Sequence, residues 1–248
     1  MRRASLFVLL ALLAAIPSFA ASEPPAEGFV ERTTRLPSGA TARFEVWLPP
    51  GFTPEQYWPA VLFLHGRGES GTDNHQQIEV GLGPVLRERP RAWPFIAIFP
   101  QKPDADVLWS ARQDLALAVL AEARAAYPID VDRIYLTGLS QGGEGAWELA
   151  AANPRTFAAV VPICGWSAAP DATAHALGGT PVWLFHGMKD DVVPPGAAQK
   201  IAAALQREGH PPRITLYADA NHNSWDRAYR TKDLPRWLLK QRRPPKGD

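Results

Sequence analysis

The stretch RIYLTGLSQGGEGAWELAAANP, residues 133–154, changes character within a few residues. A short apolar run typical of a buried strand gives way to Gly138-Leu139-Ser140-Gln141-Gly142, and an alanine-rich segment with helical spacing then continues to Pro154. A Gly-x-Ser-x-Gly sequence at a turn from strand to helix is typical of a serine nucleophile exposed above a sheet. The same five residues also fit an ordinary turn, so their interpretation depends on the rest of the chain.

Strand-like and helix-like segments alternate around this motif. Two half-buried strands joined by a turn come first, at Phe29–Leu36 and Ala42–Leu48. Buried strands are then predicted at Ala60–Leu64, Phe95–Phe99, Ile134–Thr137, Ala158–Ile163, Val182–Phe185 and Ile214–Tyr217. Helices are predicted between most of these strands, one from a capping box at Ser110 and Gln113 to about Tyr127 and another between Pro195 and Gly209.

This alternation predicts a single α/β domain over residues 29–240. We expect a mostly parallel sheet with helices on both faces, an N-terminal antiparallel hairpin and no large cap. In such sheets the ligand site lies beyond the carboxyl ends of the strands. A catalytic residue should therefore come just after a strand.

The first residues have the pattern of a targeting segment. Arg2 and Arg3 precede an apolar run, Leu6–Ile16, and small residues follow around Ala20, which predicts a signal peptide over residues 1–21 and a secreted or periplasmic protein. Eleven apolar residues are too few to cross a bilayer of about 30 Å, so no stable membrane insertion is expected after cleavage. A membrane anchor or a hydrophobic first helix is the alternative. Residues 22–28 are predicted to be a flexible lead-in, and residues 241–248 a basic tail.

Composition argues against several other classes of protein. The chain has 26 basic and 25 acidic residues, and this near-neutral charge does not indicate a nucleic-acid partner. Cys164 is the single cysteine, so no internal disulfide can form, and we interpret it as a small buried apolar residue. No residue spacing indicates a metal or nucleotide site, so no cofactor is expected. The oligomeric state is not predicted.

A serine nucleophile needs a base and an acid, and both should follow later strands. Of the six histidines, His222 follows the last predicted strand and lies last in chain order, as this architecture requires. A structural loop histidine is the alternative. Asp190 and Asp191 both fit the spacing expected of the acid, and Asp219, which also follows a strand, is their main rival.

Four motifs together resemble the α/β-hydrolase fold serine esterases, in the phospholipase/carboxylesterase and dienelactone-hydrolase-like predicted-peptidase branch. In chain order they are Leu64-His65-Gly66-Arg67-Gly68-Glu69, Gly138-Leu139-Ser140-Gln141-Gly142-Gly143, His186-Gly187-Met188-Lys189-Asp190-Asp191-Val192-Val193-Pro194 and His222-Asn223-Ser224-Trp225-Asp226. The resemblance implies that the acid is the residue four positions after His186, which is Asp190. It also implies an oxyanion hole formed by the main-chain N–H groups of Arg67 and Gln141.

The walls of the substrate pocket should come from other loops that follow strands. Trp109 and Trp166 are candidates for an apolar or sugar-stacking wall, and they are equally candidates for ordinary packing residues. The expected function is that of a secreted serine hydrolase that cleaves carboxylic esters, small or polymeric, through an acyl-enzyme. A serine peptidase on the same fold and a non-catalytic binding module are the alternatives.

Overall fold

The computed structural model describes residues 27–243. The predicted signal peptide, residues 1–21, lies outside the described residues, as does most of the predicted lead-in. Eight strands form one sheet in the order β1-β2-β4-β3-β5-β6-β7-β8. They are β1 Gly28–Arg35, β2 Thr41–Leu48, β3 Trp58–Leu64, β4 Ile96–Pro100, β5 Ile129–Leu139, β6 Ala159–Ile163, β7 Trp183–Gly187 and β8 Arg213–Tyr217.

The sheet is antiparallel at one edge and parallel elsewhere. β1 pairs with β2 and β2 with β4 in antiparallel register, whereas β4, β3, β5, β6, β7 and β8 run parallel to one another. The mostly parallel α/β fold with an N-terminal antiparallel hairpin is therefore confirmed.

Helices cover both faces of the sheet. Within residues 27–243 the α-helices are α1 Leu82–Glu88, α2 Gln113–Ala126, α3 Gln141–Ala152, α4 Pro170–Leu177, α5 Gly196–Arg207, α6 Trp225–Tyr229 and α7 Asp233–Leu239. In this part of the chain each connection between consecutive strands carries at most one α-helix, so no cap domain covers the sheet. None of these helices is long and apolar enough to cross a membrane.

The two faces of each buried strand build separate apolar cores, because successive side chains of a strand point to opposite sides. On β5, Ile134 and Leu136 pack with helices α2 to α5 on one face, while Tyr135 and Leu139 pack with α1, α6 and α7 on the other. Burial on both faces explains why these strands are continuous apolar runs in the sequence.

The predicted capping box at Ser110 and Gln113 is wrong. Helix α2 begins at Gln113, and its first turn receives no side-chain cap. Ser110 belongs to the preceding 3-10 turn, Trp109–Arg112, so it does not occupy the N-cap position of α2, which is Arg112.

The chain beyond α7 lies against the amino-terminal part of β5. The carbonyl oxygen of Gln241 accepts a hydrogen bond of 3.0 Å from the Tyr135 hydroxyl. Arg243 pairs with Asp132 at 2.9 Å and Arg242 with Asp130 at 3.1 Å. Arg242 and Arg243, in the predicted basic tail, are thus paired with acidic groups of the domain.

Candidate active site

Ser140 occupies a strained turn between β5 and α3. Its φ of 53° and ψ of −117° are rare for a residue with a side chain, and such conformations cluster at functional sites. The turn also needs glycine on either side. A Cβ at Gly138 would lie 2.1 Å from the carbonyl oxygen of Gly142, and one at Gly142 would lie 1.9 Å from that of Leu64. The backbone contact that these glycines permit holds Ser140 beyond the end of β5.

Ser140, His222 and Asp190 form a connected set of hydrogen bonds. The Ser140 Oγ lies 2.9 Å from His222 Nε2, and His222 Nδ1 donates to Asp190 at 2.8 Å from Oδ2 and 3.0 Å from Oδ1. Each residue follows a different parallel strand, β5, β7 or β8, at its carboxyl end. The sheet therefore brings together three residues that are distant in the sequence: Ser140 and His222 are 82 positions apart.

The two rival acids lie elsewhere. Asp191 is exposed, and Asp219 points to solvent, where it forms an ion pair of 2.6 Å with Arg227. Asp190, in contrast, has a fully buried side chain. The carboxylate that contacts His222 is therefore the one that the family resemblance indicates.

Asp190 is fixed by its own loop and by a second histidine. The amides of Val192 and Val193 donate to its Oδ1 at 3.0 and 2.8 Å. His186, buried at the end of β7, places its Nε2 3.2 Å from Asp190 Oδ2 and 2.8 Å from the carbonyl oxygen of Val193. His186 belongs to one of the four motifs named above, but no role was predicted for it. The signal that could have found it is its four-residue spacing from Asp190.

Arg67 and Gln141 line the same cleft as Ser140. Within residues 27–243 neither N–H group has an acceptor, so both can donate to a ligand. The Gln141 amide belongs to the first turn of α3, where the helix dipole favours an anion. These are the two N–H groups of the predicted oxyanion hole.

The loop that carries Arg67 is held by a buried histidine. His65 Nδ1 donates to the carbonyl oxygen of Gly66 at 2.6 Å, while the amide of Lys102 donates to His65 Nε2 at 3.1 Å. Burial lowers the pKa of His65 to about 3, so its ring is neutral. Trp109 donates its indole N–H to the His65 carbonyl oxygen at 2.8 Å.

A cleft of about 620 Å³ opens above Ser140. Trp166 lies in its wall together with Trp225, which was not predicted as a pocket residue although it lies three residues after His222. Trp225 also packs edge-on against the His222 ring at 5.4 Å. Apolar contacts come from Val192, Val193, Pro194 and Ala197, and polar ones from Arg67 and Glu69.

The interpretation of Trp109 as a pocket wall is wrong. Its side chain is 1 % exposed and packs edge-on against His65, below the loop rather than beside the cleft. The hydrogen bond to the His65 carbonyl explains this position, because a buried indole N–H needs an acceptor.

Cys164 lies next to these groups. Its Sγ is within 4.8 Å of ligand atoms of Asp190 and His222, so among the described residues these three form a cluster of possible metal ligands. The thiol is completely buried, however, and burial raises its pKa to about 12. The Asp190 and His222 atoms are moreover hydrogen-bonded to each other.

Fold and site geometry define an α/β-hydrolase. The chain belongs to the dienelactone hydrolase family, which matches residues 102–231. A putative esterase NocK from Nocardia uniformis subsp. tsuyamanensis is 30% identical over 193 residues, which are 72% of this chain and 54% of the relative. The chain thus spans about half the length of this curated relative.

Solved structures show the same fold. The crystal structure of a thermostable esterase has 30% identity and a TM-score of 0.75, over 87% of this chain and 63% of that one. A putative dienelactone hydrolase from Klebsiella pneumoniae subsp. pneumoniae MGH 78578 has 21% identity and a TM-score of 0.60, over 83% of this chain and 92% of that one. The second similarity, at 21% identity, is evidence for the fold alone.

Proposed function

We propose that this chain is a serine esterase that cleaves carboxylic esters through an acyl-enzyme. The observation that carries the proposal is the pair of hydrogen bonds at His222, 2.9 Å to Ser140 Oγ and 2.8 Å to Asp190 Oδ2. A hydroxyl within reach of a base, which a third group orients in turn, is the arrangement that activates a serine. The relationship to esterases supports ester bonds as the target.

The reaction follows from the positions of these groups. As Ser140 Oγ bonds to the ester carbonyl carbon, its proton passes to His222 Nε2, and Asp190 stabilises the imidazolium that forms. The tetrahedral intermediate then breaks its bond to the alcohol oxygen, which takes the proton from His222. Water attacks the acyl-enzyme with the same proton transfers, and the acid and free Ser140 are released.

The negative charge of each tetrahedral intermediate needs donors. The amides of Arg67 and Gln141 are available for this, and the loss of one such donor typically lowers kcat by about 10²–10³-fold. Since both donors are main-chain groups, the Arg67 side chain is left to pair with Asp106 at the edge of the cleft, at 2.6 Å.

Serine rather than cysteine is the nucleophile in this proposal. Thiolates, not thiols, attack carbonyls, and burial raises the pKa of Cys164 to about 12. Ser140 lines the cleft, whereas Cys164 does not. We therefore expect Cys164→Ala to retain esterase activity and Ser140→Ala to have none.

The substrate class follows from the cleft. Trp166, Trp225 and Val192 offer an apolar wall to one part of the ester, and the absence of a cap domain within residues 27–243 leaves the cleft open to bulky alcohol groups. We propose Trp166 and Trp225 as substrate contacts. Small esters and esters borne on polymers both fit.

The full chain and the variants Ser140→Ala and Cys164→Ala should be assayed with p-nitrophenyl acetate, butyrate and octanoate, and with a p-nitroanilide of the same acyl group. We expect the wild type and Cys164→Ala to hydrolyse the esters, and Ser140→Ala to be inactive. A fluorophosphonate should label Ser140, as peptide mass spectrometry would show. Equal inactivity of all three proteins on every ester would refute the proposal, and faster cleavage of the anilide would make the chain a peptidase.

We also propose that the chain is exported, on the residue pattern of positions 1–21. Expression in a Gram-negative host should yield a periplasmic or secreted product whose mass has decreased by that of the first 20 or 21 residues. A variant with Leu9→Arg and Leu12→Arg, which interrupts the apolar run, should accumulate uncleaved in the cytoplasm. An intact N-terminus in the exported wild type would contradict the proposal.

A further inference from the structure

A second concave site lies away from the active-site cleft, between a 3-10 turn, Pro90–Ala92, and helices α6 and α7. Its volume is about 480 Å³. We call it the basic cleft, because the cationic side chains of Arg89, Arg91, Arg230, Lys232 and Arg236 line it against a single acidic one, Asp233.

Four of these cations have no acidic partner in the described part of the chain. Arg89, Arg91, Lys232 and Arg236 each lack a carboxylate oxygen within 4.0 Å, whereas Arg230 forms an ion pair of 2.7 Å with Glu88. The whole chain has a net charge of only +1, so the positive charge gathered in this cleft is far above that of the chain as a whole. Like charges gathered in one concavity repel one another and attract an anion.

The floor of the basic cleft is apolar. Trp93 lies beneath it, and Pro94, Pro235 and the 37 % exposed Leu239 contribute to its lining. Three of the four unpaired cations are arginines, and a guanidinium group can bind a carboxylate through two parallel hydrogen bonds. A matching ligand therefore has several anionic groups on a body with C–H faces.

We propose that the basic cleft binds an acidic oligosaccharide, a chain of sugars that carry carboxylate groups. The carboxylates bind the arginines and Lys232, and the C–H faces of the rings pack on Pro94, Pro235 and Leu239. Inorganic anions lack such faces. The proposal stands on the basic cleft alone and does not rest on the esterase function.

Helix α6 links the two clefts. Its first residue, Trp225, lines the active-site cleft, and its last, Tyr229, lines the basic cleft. These two residues lie about 6 Å apart along the helix axis. A polymer held in the basic cleft would keep the active site close to the surface of that polymer.

The test measures binding of galacturonate oligomers to the full chain by calorimetry, with neutral galactose oligomers of equal length, tripolyphosphate and phosphatidylserine vesicles as comparison probes. The cleft variant combines Arg89→Gln, Arg91→Gln and Arg236→Gln. Its matched control combines Arg35→Gln, Arg124→Gln and Lys200→Gln, which removes the same charge from exposed cations elsewhere.

We expect the wild type and the control variant to bind galacturonate oligomers alike, and the cleft variant to bind about tenfold more weakly or worse. Added salt should weaken binding, because these charges are partly exposed. The far-ultraviolet circular dichroism spectrum and the urea midpoint should be the same in all three proteins, which shows that the variants are folded.

Several results would overturn the proposal. Equal weakening in both triple variants would show an effect of net charge only, and equal affinity for neutral oligomers would remove the role of the carboxylates. Tripolyphosphate bound as tightly as galacturonate would show that charge alone is recognised. Binding to the vesicles without binding to galacturonate would make the cleft a membrane contact.

Discussion

His186 Nε2 lies 3.2 Å from Asp190 Oδ2, the same oxygen that accepts a hydrogen bond of 2.8 Å from His222 Nδ1. The same nitrogen lies 2.8 Å from the carbonyl oxygen of Val193, which can only accept, so Nε2 carries the hydrogen. Oδ2 of Asp190 thus contacts two imidazoles, and His186 also fixes the turn that follows Asp190 through the Val193 carbonyl.

His186→Ala should lower kcat by about 10- to 100-fold and leave KM within a small factor, because Asp190 loses a contact that aims it at His222. His186→Gln, whose amide can still donate, should recover part of the loss. Steady-state kinetics on p-nitrophenyl butyrate checks both. His175→Ala, at an exposed histidine of α4, is the matched control. An unchanged kcat in His186→Ala would show that the contact has no part in positioning.

Asp190→Asn should reduce kcat by about 10⁴-fold, since the amide cannot hold His222 in the required tautomer. Asp191→Asn should have little effect, because Asp191 is exposed. The two variants remove the same charge from adjacent positions, and parallel kinetics compare them directly. The reverse order of loss would assign the acid to Asp191.

Trp109→Phe should lower the free energy of unfolding by about 1–3 kcal/mol, because the buried carbonyl oxygen of His65 loses its donor. Trp47→Phe is a matched control, since Trp47 is also buried but its Nε1 has no partner within residues 27–243. Urea unfolding measures both. A loss in Trp47→Phe as large as that in Trp109→Phe would mean that ring volume rather than the hydrogen bond decides the effect.

Glu45→Gln should flatten the dependence of stability on pH. Burial, with the nearby charge of Glu31, raises the pKa of Glu45 from 4.5 to about 7, so the folded chain holds a proton that the unfolded chain releases between these values. This contribution to stability is complete below about pH 4.5 and is lost as the pH rises through about 7.

The measurement is the urea midpoint on both sides of that interval. The wild type should lose stability towards the higher pH. Glu45→Gln should lose less, since the amide oxygen of the new side chain can still accept from Asn74 as the Glu45 carboxylate does at 3.0 Å. Glu55→Gln, at an exposed position, should keep the wild-type dependence. Parallel curves for all three proteins would assign the dependence to other groups.

The sequence predicted the strands of the sheet well because most of them are buried on both faces and carry few polar residues. β5 shows where this signal ends. It was predicted to begin at Ile134 but begins at Ile129, where it pairs with Trp58 across a register shift in β3. Three of the five additional residues are charged, and Arg133 and Asp130 among them form an ion pair of 2.7 Å. Pairing with β3, which is distant in the sequence, extends β5 here, and the local residue pattern does not predict this pairing.

The sequence predicted the residues that meet at the site, since a serine, an acid and a histidine that each follow a parallel strand must converge at one edge of the sheet. It could not predict which way a large side chain turns after leaving a strand. Trp109 and Trp166 were equally good candidates for the pocket wall, yet Trp109 packs under the His65 loop and Trp166 lines the cleft. The basic cleft was equally invisible, because its cations come from two segments that are distant in the sequence, Arg89 and Arg91 in one and Arg230, Lys232 and Arg236 in the other.

The burial of Cys164 makes the chain a convenient host for spectroscopic labels. It is the single cysteine of the sequence, and its Sγ is sealed from solvent, so a maleimide reagent has no accessible thiol in the folded protein. A cysteine introduced at the 65 % exposed Val192 would then be the one reactive thiol. A fluorophore attached there would report occupancy of the active-site cleft in real time, without a second mutation to remove the native thiol.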